Sequence, residues 1–460
     1  MKKIFTTCMA LAVISLSAKA DWPGLQGSGT ETDPYQISSA ADFMVLANNI
    51  SADNTGAGEY FKMTKDIDFD GDASNPVQLP SIGKEGITNI STVTWGFEGT
   101  FDGGNNSIYY IYHTNDGNNR EGQFNALFSS VGVNGVIKNI IFSTQNYIST
   151  YNYAGAIASI CKGTIDNCTN SANITATGAF AAGICGYLAG GTGTISNCKN
   201  YGDIQAMTFA SGIVSGSQSG GVITDCSGYS VISCTNSGTM STTNGTGSAG
   251  IAGSFSGNIK NCQNSGKIDD SAKAGQYTAG IVSSTTYPAE ISGNTNTGEV
   301  IGTKNIAGIC GMIMKGDDAS YTLSGNTNKG TITATGDNVA GILANTMRSQ
   351  DMVTIADCTN EGVVSTTLED AENIGNLRGS SLIVLGEGNV IGADLPNLPL
   401  DPESSDDGGD DSGDNGGDTN AVKEIQKDNV VIKDGKYILN KEVVVVKNGL
   451  IYKLNGQLIQ

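Results

Sequence analysis

The chain is poor in the residues on which most catalytic and nucleic-acid sites depend. Its 460 residues include one histidine, two tryptophans and three arginines, and charged residues make up only 15%. The formal net charge of −20 argues against nucleic acid or an anionic membrane surface as a partner. Since His113 is the only histidine and no Cys-x-x-Cys pair occurs, a transition-metal site is disfavoured and we expect no bound cofactor.

Long hydrophobic runs are absent after the first twenty residues, so we predict no transmembrane segment. Those twenty residues have a positive start, an apolar stretch and a small-x-small ending, which together are typical of a secretory signal. We therefore predict a signal peptide over 1–20, cleaved between Ala20 and Asp21. The protein is then exported, and it is either secreted or held on the outer cell surface.

Glycine, by contrast, is abundant with 63 residues, and a repeat accounts for much of it. The pattern apolar-x-x-Cys/Asn-x-Asn-x-Gly-x-apolar occurs seven times, as in ISNCKNYGDI (195–204), with Ala172 in place of the glycine in one copy and spacings of 28–36 residues. A small residue, a glycine and an apolar residue recur with the same period, for example around Gly183 and Gly280. Each copy supplies about three strand-sized pieces without helical periodicity, which predicts an all-β parallel β-helix, a solenoid of stacked coils.

One asparagine position is the same in every copy. In a solenoid, equivalent residues of successive coils stack at the spacing of paired strands, about 4.8 Å. Stacked amides can each donate to one neighbour and accept from the other, so we predict an interior asparagine ladder. The glycine that follows two positions later fills six of seven copies, as a positive φ or a crowded backbone would require. The predicted ladder consists of Asn170, Asn200, Asn236, Asn264, Asn296, Asn328 and Asn360.

The position two residues before each ladder asparagine is a cysteine in five copies and an asparagine in two. Because asparagine replaces it, an obligatory metal ligand or disulfide partner is disfavoured, and we interpret the cysteines as small apolar side chains that fill space. Disulfides between neighbouring coils remain geometrically open. The column consists of Cys168, Cys198, Cys234, Cys262, Asn294, Asn326 and Cys358.

The two ends of the chain differ from the repeats. Residues 21–150 are predicted to form an N-terminal cap with the first coils, and residues 151–394 to form the repeats. The cap contains a predicted helix over 39–49 that would cover the open end of the solenoid. Its apolar face consists of Phe43, Leu46, Ala47 and Ile50.

After the repeats, composition changes twice. Residues 395–420 are rich in aspartate, glycine and serine, which predicts an extended, solvated linker. Residues 421–460 return to strand patterning with Asp-Gly and Asn-Gly turns, which predicts a small C-terminal β module of four short strands.

Several stretches resemble known families. GTETDPYQIS, GTFDGGNNSIYYIY and AGICGYLAGGTGTISNCKNYGDI, within residues 27–375, resemble bacterial GLUG-motif repeats and the segment that precedes them. This resemblance implies a right-handed parallel β-helix of the pectin-lyase-like kind in exported or surface-exposed bacterial proteins. Such repeats also serve as stalks of unrelated enzymes, so the resemblance indicates fold rather than activity. IYKLNGQLI near the C-terminus resembles the sorting domains of secreted Bacteroidetes proteins.

Candidate chemistry is sparse. In DIDFDGD, four aspartates occupy alternate positions around a glycine, like the start of a calcium loop, but Val77 stands where an EF-hand requires a carboxylate. We favour the interpretation that these acids face solvent and keep calcium as the alternative. The acids are Asp66, Asp68, Asp70 and Asp72.

A polysaccharide-cleaving β-helix would need paired carboxylates in a groove, or a carboxylate-bound calcium near a base, and no arginine lies near an acid cluster in sequence. We therefore predict no catalysis, and an adhesin-like or carbohydrate-contacting scaffold whose partner is a glycan or a cell-surface component. A polysaccharide lyase or glycoside hydrolase is the alternative, and the oligomeric state stays open. Tyrosines that could stack on sugar rings crowd the first coils: Tyr109, Tyr110, Tyr112, Tyr147, Tyr151 and Tyr153.

Overall fold

The computed structural model describes the chain from residue 22 to residue 453 with gaps. The described ranges are 22–83, 95–115, 124–190, 193–217, 221–224, 227–228, 232–234, 247–271, 277–286, 289–314, 320–346, 352–366, 371–372, 382–385, 389–391, 422–424, 435–439, 442–447 and 450–453. The predicted signal peptide with its cleavage site at Ala20 and Asp21, Asn236 of the predicted ladder, and the predicted linker 395–420 lie outside them.

The chain winds as a solenoid whose coils pass through four parallel sheets, here called A, B, C and D. The predicted all-β parallel β-helix is confirmed. Sheet A contains β1 (Tyr35–Ile37), β2 (Tyr60–Met63), β3 (Ile67–Asp68), β4 (Thr100–Tyr109), β7 (Val136–Phe142), β10 (Thr164–Asp166), β11 (Thr169–Asn170), β15 (Thr194–Ser196), β16 (Lys199–Asn200), β20 (Val222–Thr224), β21 (Ser227–Gly228), β25 (Asn258–Lys260), β26 (Gln263–Asn264), β30 (Glu290–Ser292), β31 (Thr295–Asn296), β35 (Ser320–Ser324), β36 (Thr327–Asn328), β40 (Met352–Ala356), β41 (Thr359–Asn360), β44 (Leu382–Leu385) and β45 (Val390–Ile391).

The other faces are shorter. Sheet C contains β5 (Tyr112–Asn115), β8 (Tyr147–Thr150), β12 (Asn173–Ala176), β17 (Ile204–Ala206), β22 (Ile232–Cys234), β27 (Ile268–Asp269), β32 (Val300–Gly302), β37 (Ile332–Ala334) and β42 (Val364–Thr366). Sheet D contains β13 (Phe180–Ala182), β18 (Phe209–Ser211), β23 (Gly247–Ala249), β28 (Thr278–Ala279), β33 (Ile306–Ala307), β38 (Val339–Ala340) and β43 (Ala371–Glu372). Sheet B contains β6 (Phe128–Val131), β9 (Ala158–Cys161), β14 (Cys185–Leu188), β19 (Val214–Ser217), β24 (Ala252–Ser254), β29 (Val282–Thr285), β34 (Cys310–Ile313) and β39 (Leu343–Thr346).

A coil therefore has more pieces than the predicted three. It crosses sheet A as two short strands and then passes through sheets C, D and B in turn. The extra division falls at glycine: Phe180–Ala182 belongs to sheet D, and Cys185–Leu188, two residues later, belongs to sheet B. Gly183 stands at this turn with no room for a Cβ atom, so one apolar stretch of sequence becomes two strands.

One predicted copy has the wrong register. VISCTNSGTM (231–240) resembles the repeat, but the strands that stack in this coil are 222–224, 227–228 and 232–234. Gly228 pairs with Asn200 on one side and Asn264 on the other, so it occupies the ladder position that was assigned to Asn236. Cys234 consequently lies opposite Ala206 in sheet C, outside the cysteine column. The described strands of this coil thus match the sequence ITDCSGYSVI (223–232), which has glycine where the other copies have the asparagine.

The N-terminal end carries the one helix among the described residues, α1 (Ala40–Asn49). Ser39 is its N-cap and accepts a hydrogen bond from the backbone N–H of Asp42. The predicted helix is confirmed, and Phe43, Leu46 and Ile50 of its predicted face are buried. The helix therefore adds its apolar face to the core at this end of the solenoid.

The C-terminal strands form a sheet of their own. It contains β46 (Val422–Glu424), β47 (Gly435–Leu439), β48 (Glu442–Lys447) and β49 (Leu450–Lys453). β46 runs parallel to β47, and the other two pairings are antiparallel. Within the described ranges, the structure contains no helix with the length and apolarity that crossing a membrane requires.

Candidate functional site

Interior asparagines hold the coils in register. Each amide donates Nδ2–H to the Oδ1 of the asparagine in the next coil at 2.7–2.9 Å. Nδ2 also donates to a backbone carbonyl two residues ahead, as from Asn296 to Gly298 at 2.9 Å. Gly228 interrupts the column, so the ladder consists of two runs. The runs are Asn170 with Asn200, and Asn264 with Asn296, Asn328 and Asn360.

Two glycines recur in the repeats, and neighbouring coils confine both of them. The first lies against a ladder side chain, and the second lies against the backbone of the equivalent glycine in the neighbouring coil. A Cβ on Gly308 would lie 2.3 Å from Cγ of Asn328, and Gly280 stands in the same relation to Asn296 at 2.2 Å. The glycine that follows each ladder asparagine is equally confined, since a Cβ on Gly330 would lie 1.9 Å from the carbonyl oxygen of Gly298. Of the two reasons predicted for this second glycine, the crowded backbone is the one that applies at Gly330.

The cysteine column is explained by a backbone turn. The preceding residue has a positive φ, for example 54° at Asn197, 67° at Gly293 and 54° at Asp357. After this turn, the backbone N–H of the column residue donates to the column side chain of the next coil. Cys168 N–H donates to Sγ of Cys198 at 3.4 Å, and its counterpart in Cys262 donates to Oδ1 of Asn294 at 2.9 Å. Cysteine and asparagine interchange because sulfur and a carboxamide oxygen both accept this hydrogen bond.

Seven described cysteines are buried and form no disulfide bond, namely Cys161, Cys168, Cys185, Cys198, Cys262, Cys310 and Cys358. Burial raises the pKa of Cys161 and Cys310 to about 12, and it raises the pKa of Cys185 well above the usual value. For Cys161 and Cys310 the thiolate population at neutral pH is therefore about a thousandfold lower than in an exposed thiol.

We expect Cys161, Cys185 and Cys310 to stay unmodified when the native protein is treated with iodoacetamide, because the thiolate is the reactive species. Peptide mapping by mass spectrometry should find their carbamidomethylated forms only after unfolding in denaturant. Labelling of these three residues in the native protein at the rate of glutathione would contradict the buried assignment.

A groove of about 850 Å³ lies on the outer surface of sheet A, over the first coils. It is lined by β1, β2, β4 and β7 together with the segment 31–34. Four outward positions are consecutive register partners across these strands, namely Gln36, Lys62, Asp102 and Lys138. Beside them lie Tyr60, Thr100 and Asn106.

An irregularity in β4 shapes one side of this groove. Between Asp102 and Asn106 the register shifts, because three residues of β4 face the single residue Asn139 of β7. Gly104 and Asn105 have φ values of 62° and 59° in this bulge. Asn106 is fixed there, since its Nδ2 donates to the carbonyl oxygens of Met63 at 3.1 Å and of Gly103 at 3.0 Å.

The groove carries both signs of charge. Oδ1 of Asp102 accepts from the backbone N–H of Gly104 and from Nδ2 of Asn139, each at 2.8 Å. Oδ2 of the same carboxylate lies 3.9 Å from Nζ of Lys138. Together with Lys62, Glu31 and Asp33, the lining has two lysines and three acids. Such an alternation of donors and acceptors suits a ligand with many hydroxyl or amide groups rather than a strong polyion.

A row of exterior asparagines continues from the groove along sheet A, and the sequence analysis missed it. These residues have positive φ and directly precede the column cysteine position. Nδ2 of Asn167 donates to Oδ1 of Asn139 at 2.7 Å, and Nδ2 of Asn197 donates to Asp166 at 2.7 Å. The signal was present in the Asn-Cys dipeptides of the repeat, because asparagine tolerates this backbone region better than most residues.

In the acidic stretch 66–72, Asp68 and Asp72 accept hydrogen bonds from groups close by in sequence. Asp68 accepts from the N–H of Asp70 at 2.7 Å, and Asp72 accepts from the hydroxyl and N–H of Ser74 at 2.6 and 2.7 Å. Hydrogen bonds from Ser74, and one from the Asn75 N–H, lower the pKa of the Asp72 carboxyl. Among the described residues no group of three or more histidines, cysteines or acids is arranged to hold a metal ion.

Asp66, the first acid of this stretch, contacts Tyr109. Its carboxylate accepts from the N–H of Ser107 and from the hydroxyl of Tyr109, both at 2.7 Å. The hydrogen bond from Ser107, followed by that from Tyr109, lowers the pKa of Asp66. The structure therefore keeps this carboxyl in its ionised form.

The tyrosines of the first coils do not form one surface. Tyr112 and Tyr147 stack on each other at 4.9 Å, and Tyr110 is 43% exposed with a φ of 56°. Tyr153 instead stacks between Phe124 and Phe180, at 5.2 and 5.1 Å. His113 does not join them, because it is buried and its Nδ1 accepts the backbone N–H of Leu79 at 3.3 Å.

Comparison with known proteins identifies neither a family nor an activity for this chain. No family model matches the chain. Halomucin of Haloquadratum walsbyi is 32% identical over 156 residues, which are 34% of this chain and span 2% of the length of halomucin. The crystal structure of "a putative immunoglobulin A1 protease" from Bacteroides ovatus is 17% identical with a TM-score of 0.39, over 79% of this chain and 86% of that one. Similarity of that degree transfers no activity to this chain.

Proposed function

We propose that the chain is an exported solenoid, secreted or held on the cell surface, which contacts carbohydrate through the groove on its first coils without cleaving it. The observation that supports this most is the groove itself. It combines a tyrosine, Tyr60, with amide, lysine and carboxylate side chains on a rigid sheet. Glycan-binding sites commonly join an aromatic surface to a few fixed polar groups.

The hydrogen bonds of the groove favour binding over chemistry. Oδ1 of Asp102 already accepts hydrogen bonds from the backbone N–H of Gly104 and from Nδ2 of Asn139, and Oδ2 lies 3.9 Å from Nζ of Lys138. A groove of fixed donors and acceptors fits a role in recognition.

The extracellular setting rests on the sequence. The predicted signal peptide over 1–20 and the C-terminal stretch that resembles a sorting domain both favour export, and the repeats resemble GLUG-motif proteins of bacterial surfaces. The partial similarity to halomucin agrees with this setting only through that protein's name, which marks it as a mucin. The domain division at 151, 395 and 421 belongs to the same proposal.

A glycan array probed with the full chain tests this function. We expect binding to a restricted set of glycans, and a loss of roughly tenfold or more in affinity for Lys62→Ala, since a hydrogen bond to a charged group contributes about 1.5–3 kcal/mol. Tyr60→Ala should weaken binding as well, because the ring would supply stacking area.

Lys260→Ala is the matched control. Lys260 continues the same outward column of sheet A and is partly exposed, but it pairs with Glu290, far along the solenoid from the groove. It should leave binding unchanged. An array without any bound glycan, or an equal loss for Lys62→Ala and Lys260→Ala, would refute the proposal. Shortened glycans would support the lyase or hydrolase alternative.

A further inference from the structure

The groove crosses four neighbouring strands. Its lining comes from four strands that are hydrogen-bonded neighbours: β1 pairs with β2, β2 with β4, and β4 with β7. Strands of one sheet lie about 4.8 Å apart, so the outer two are separated by roughly 14 Å. A column of side chains that crosses these strands therefore runs parallel to the solenoid axis, and a ligand that contacts all four strands must extend along it.

Each of the four strands presents one polar side chain from the same outward column. In order along the axis these are an amide, a cation, a carboxylate and a cation, on Gln36, Lys62, Asp102 and Lys138. The spacing of the rows is close to the length of one sugar ring in an extended chain. A linear glycan could thus place an equivalent unit opposite every row.

Beyond Lys138, the same outward column continues outside the groove. The next residue in register is Asp166, and its Oδ1 accepts from the hydroxyl of Ser196 at 2.6 Å and from Nδ2 of Asn197 at 2.7 Å. Asp166 is not among the residues that line the groove, whereas Asp102 and Lys138 are. Ligand contacts should therefore end at the row of β7.

We propose that the groove binds a linear, uncharged glycan chain parallel to the solenoid axis, with about one sugar unit against each of the four rows. This inference rests on the proposed function and specifies its ligand. Uncharged chains are favoured over acidic ones because the lining has three acids against two lysines and the whole chain has a net charge of −20.

The test is calorimetric titration of the full chain with linear cello-, xylo-, manno- and chito-oligosaccharides, from dimer to hexamer. In the series that binds, affinity should rise from dimer to tetramer and then level off, since the tetramer already reaches all four rows. Lys62→Ala and Lys138→Ala should each weaken the tetramer, and the double variant should show roughly the product of the two fold-changes. Each single variant should leave part of the affinity, because the remaining rows still contact the ligand.

The dimer provides the contrast, because it spans only neighbouring rows. Lys62 and Lys138 lie two rows apart, so at most one of the two substitutions should weaken a bound dimer by a large factor. Affinity that is the same for dimer and hexamer, or a tetramer that is insensitive to Lys138→Ala, would overturn the axial arrangement while leaving glycan binding intact. Tighter binding of polygalacturonate oligomers would overturn the assignment to uncharged chains. Failure of every glycan to bind would remove the proposed function and this inference together.

Discussion

Asn296→Ala is expected to lower the free energy of unfolding by about 3–5 kcal/mol, since buried polar groups that lose their partners cost roughly 1–3 kcal/mol each. The amide of Asn296 accepts from Asn264 at 2.8 Å and donates to Asn328 and to the carbonyl of Gly298, both at 2.9 Å. Without this amide, Nδ2 of Asn264, Oδ1 of Asn328 and the carbonyl oxygen of Gly298 each lose a hydrogen bond in the protein interior. Urea denaturation followed by circular dichroism measures the loss.

Thr295→Ala is the matched control for this substitution. Thr295 precedes Asn296 on the same short strand but points to the opposite side of the sheet, where it is only partly buried. Its replacement should cost no more than about 0.5 kcal/mol. Equal effects of the two substitutions, or a loss below about 1 kcal/mol for Asn296→Ala, would mean that the ladder does not stabilise the stack of coils.

Gly308→Ala is expected to destabilise the solenoid by about 3 kcal/mol, the upper part of the range for overpacked interiors. The added Cβ would lie 2.3 Å from Cγ of Asn328 and 2.4 Å from the carbonyl oxygen of Gly341. The first contact is with a side chain that the ladder holds in place, and the second is with backbone, so neither atom can easily move away. Lys304→Ala, on an exposed side chain in the preceding turn, should change stability by less than about 0.5 kcal/mol.

A double-mutant cycle separates these two contacts. In an Asn328→Ala background the carboxamide that the new methyl group meets is gone, although the carbonyl of Gly341 remains. The combined loss should therefore fall short of the sum of the single losses by about 1 kcal/mol or more. Strict additivity would show that Gly308 and the ladder do not restrain each other.

The parts of the fold that depend on local sequence could be predicted. The helix follows from Ser39 as a cap and from the spacing of Phe43, Leu46 and Ile50, and all of these signals lie within twelve residues. The interior asparagine column likewise appears in the sequence as an asparagine that recurs every 28–36 residues. Stacking turns such an interval directly into contact, because every coil repeats the position of the one before it.

Register across an irregular coil could not be predicted in the same way. VISCTNSGTM matched the repeat by residue identity, whereas the structure stacks the coil through Ile223, Gly228 and Ile232. Residue identity favoured Asn236 for the ladder position of this coil. The structure places Gly228 there instead, so the ladder is interrupted at this coil and resumes at Asn264. A test for equal spacing of apolar residues, rather than for the asparagine, would have pointed to ITDCSGYSVI.

The groove was beyond the reach of the sequence because its parts are far apart along the chain. Gln36, Lys62, Asp102 and Lys138 come from segments with different motifs and irregular spacing. Only the pairing of β1, β2, β4 and β7 brings them into one column. The sequence did indicate that tyrosines crowd these coils, yet Tyr60, which lines the groove, was not among those singled out.

The most direct test of the account is the mass spectrum of an oligosaccharide recovered from the protein. A linear hexasaccharide that binds in the titrations is loaded on the immobilised full chain, incubated overnight, washed and eluted. Binding without cleavage predicts that the wild-type chain retains the hexasaccharide and that the eluted sugar has the mass that was loaded, with much less retained by Lys62→Ala. Shorter or unsaturated fragments in the eluate, or no retained sugar at all, would contradict it.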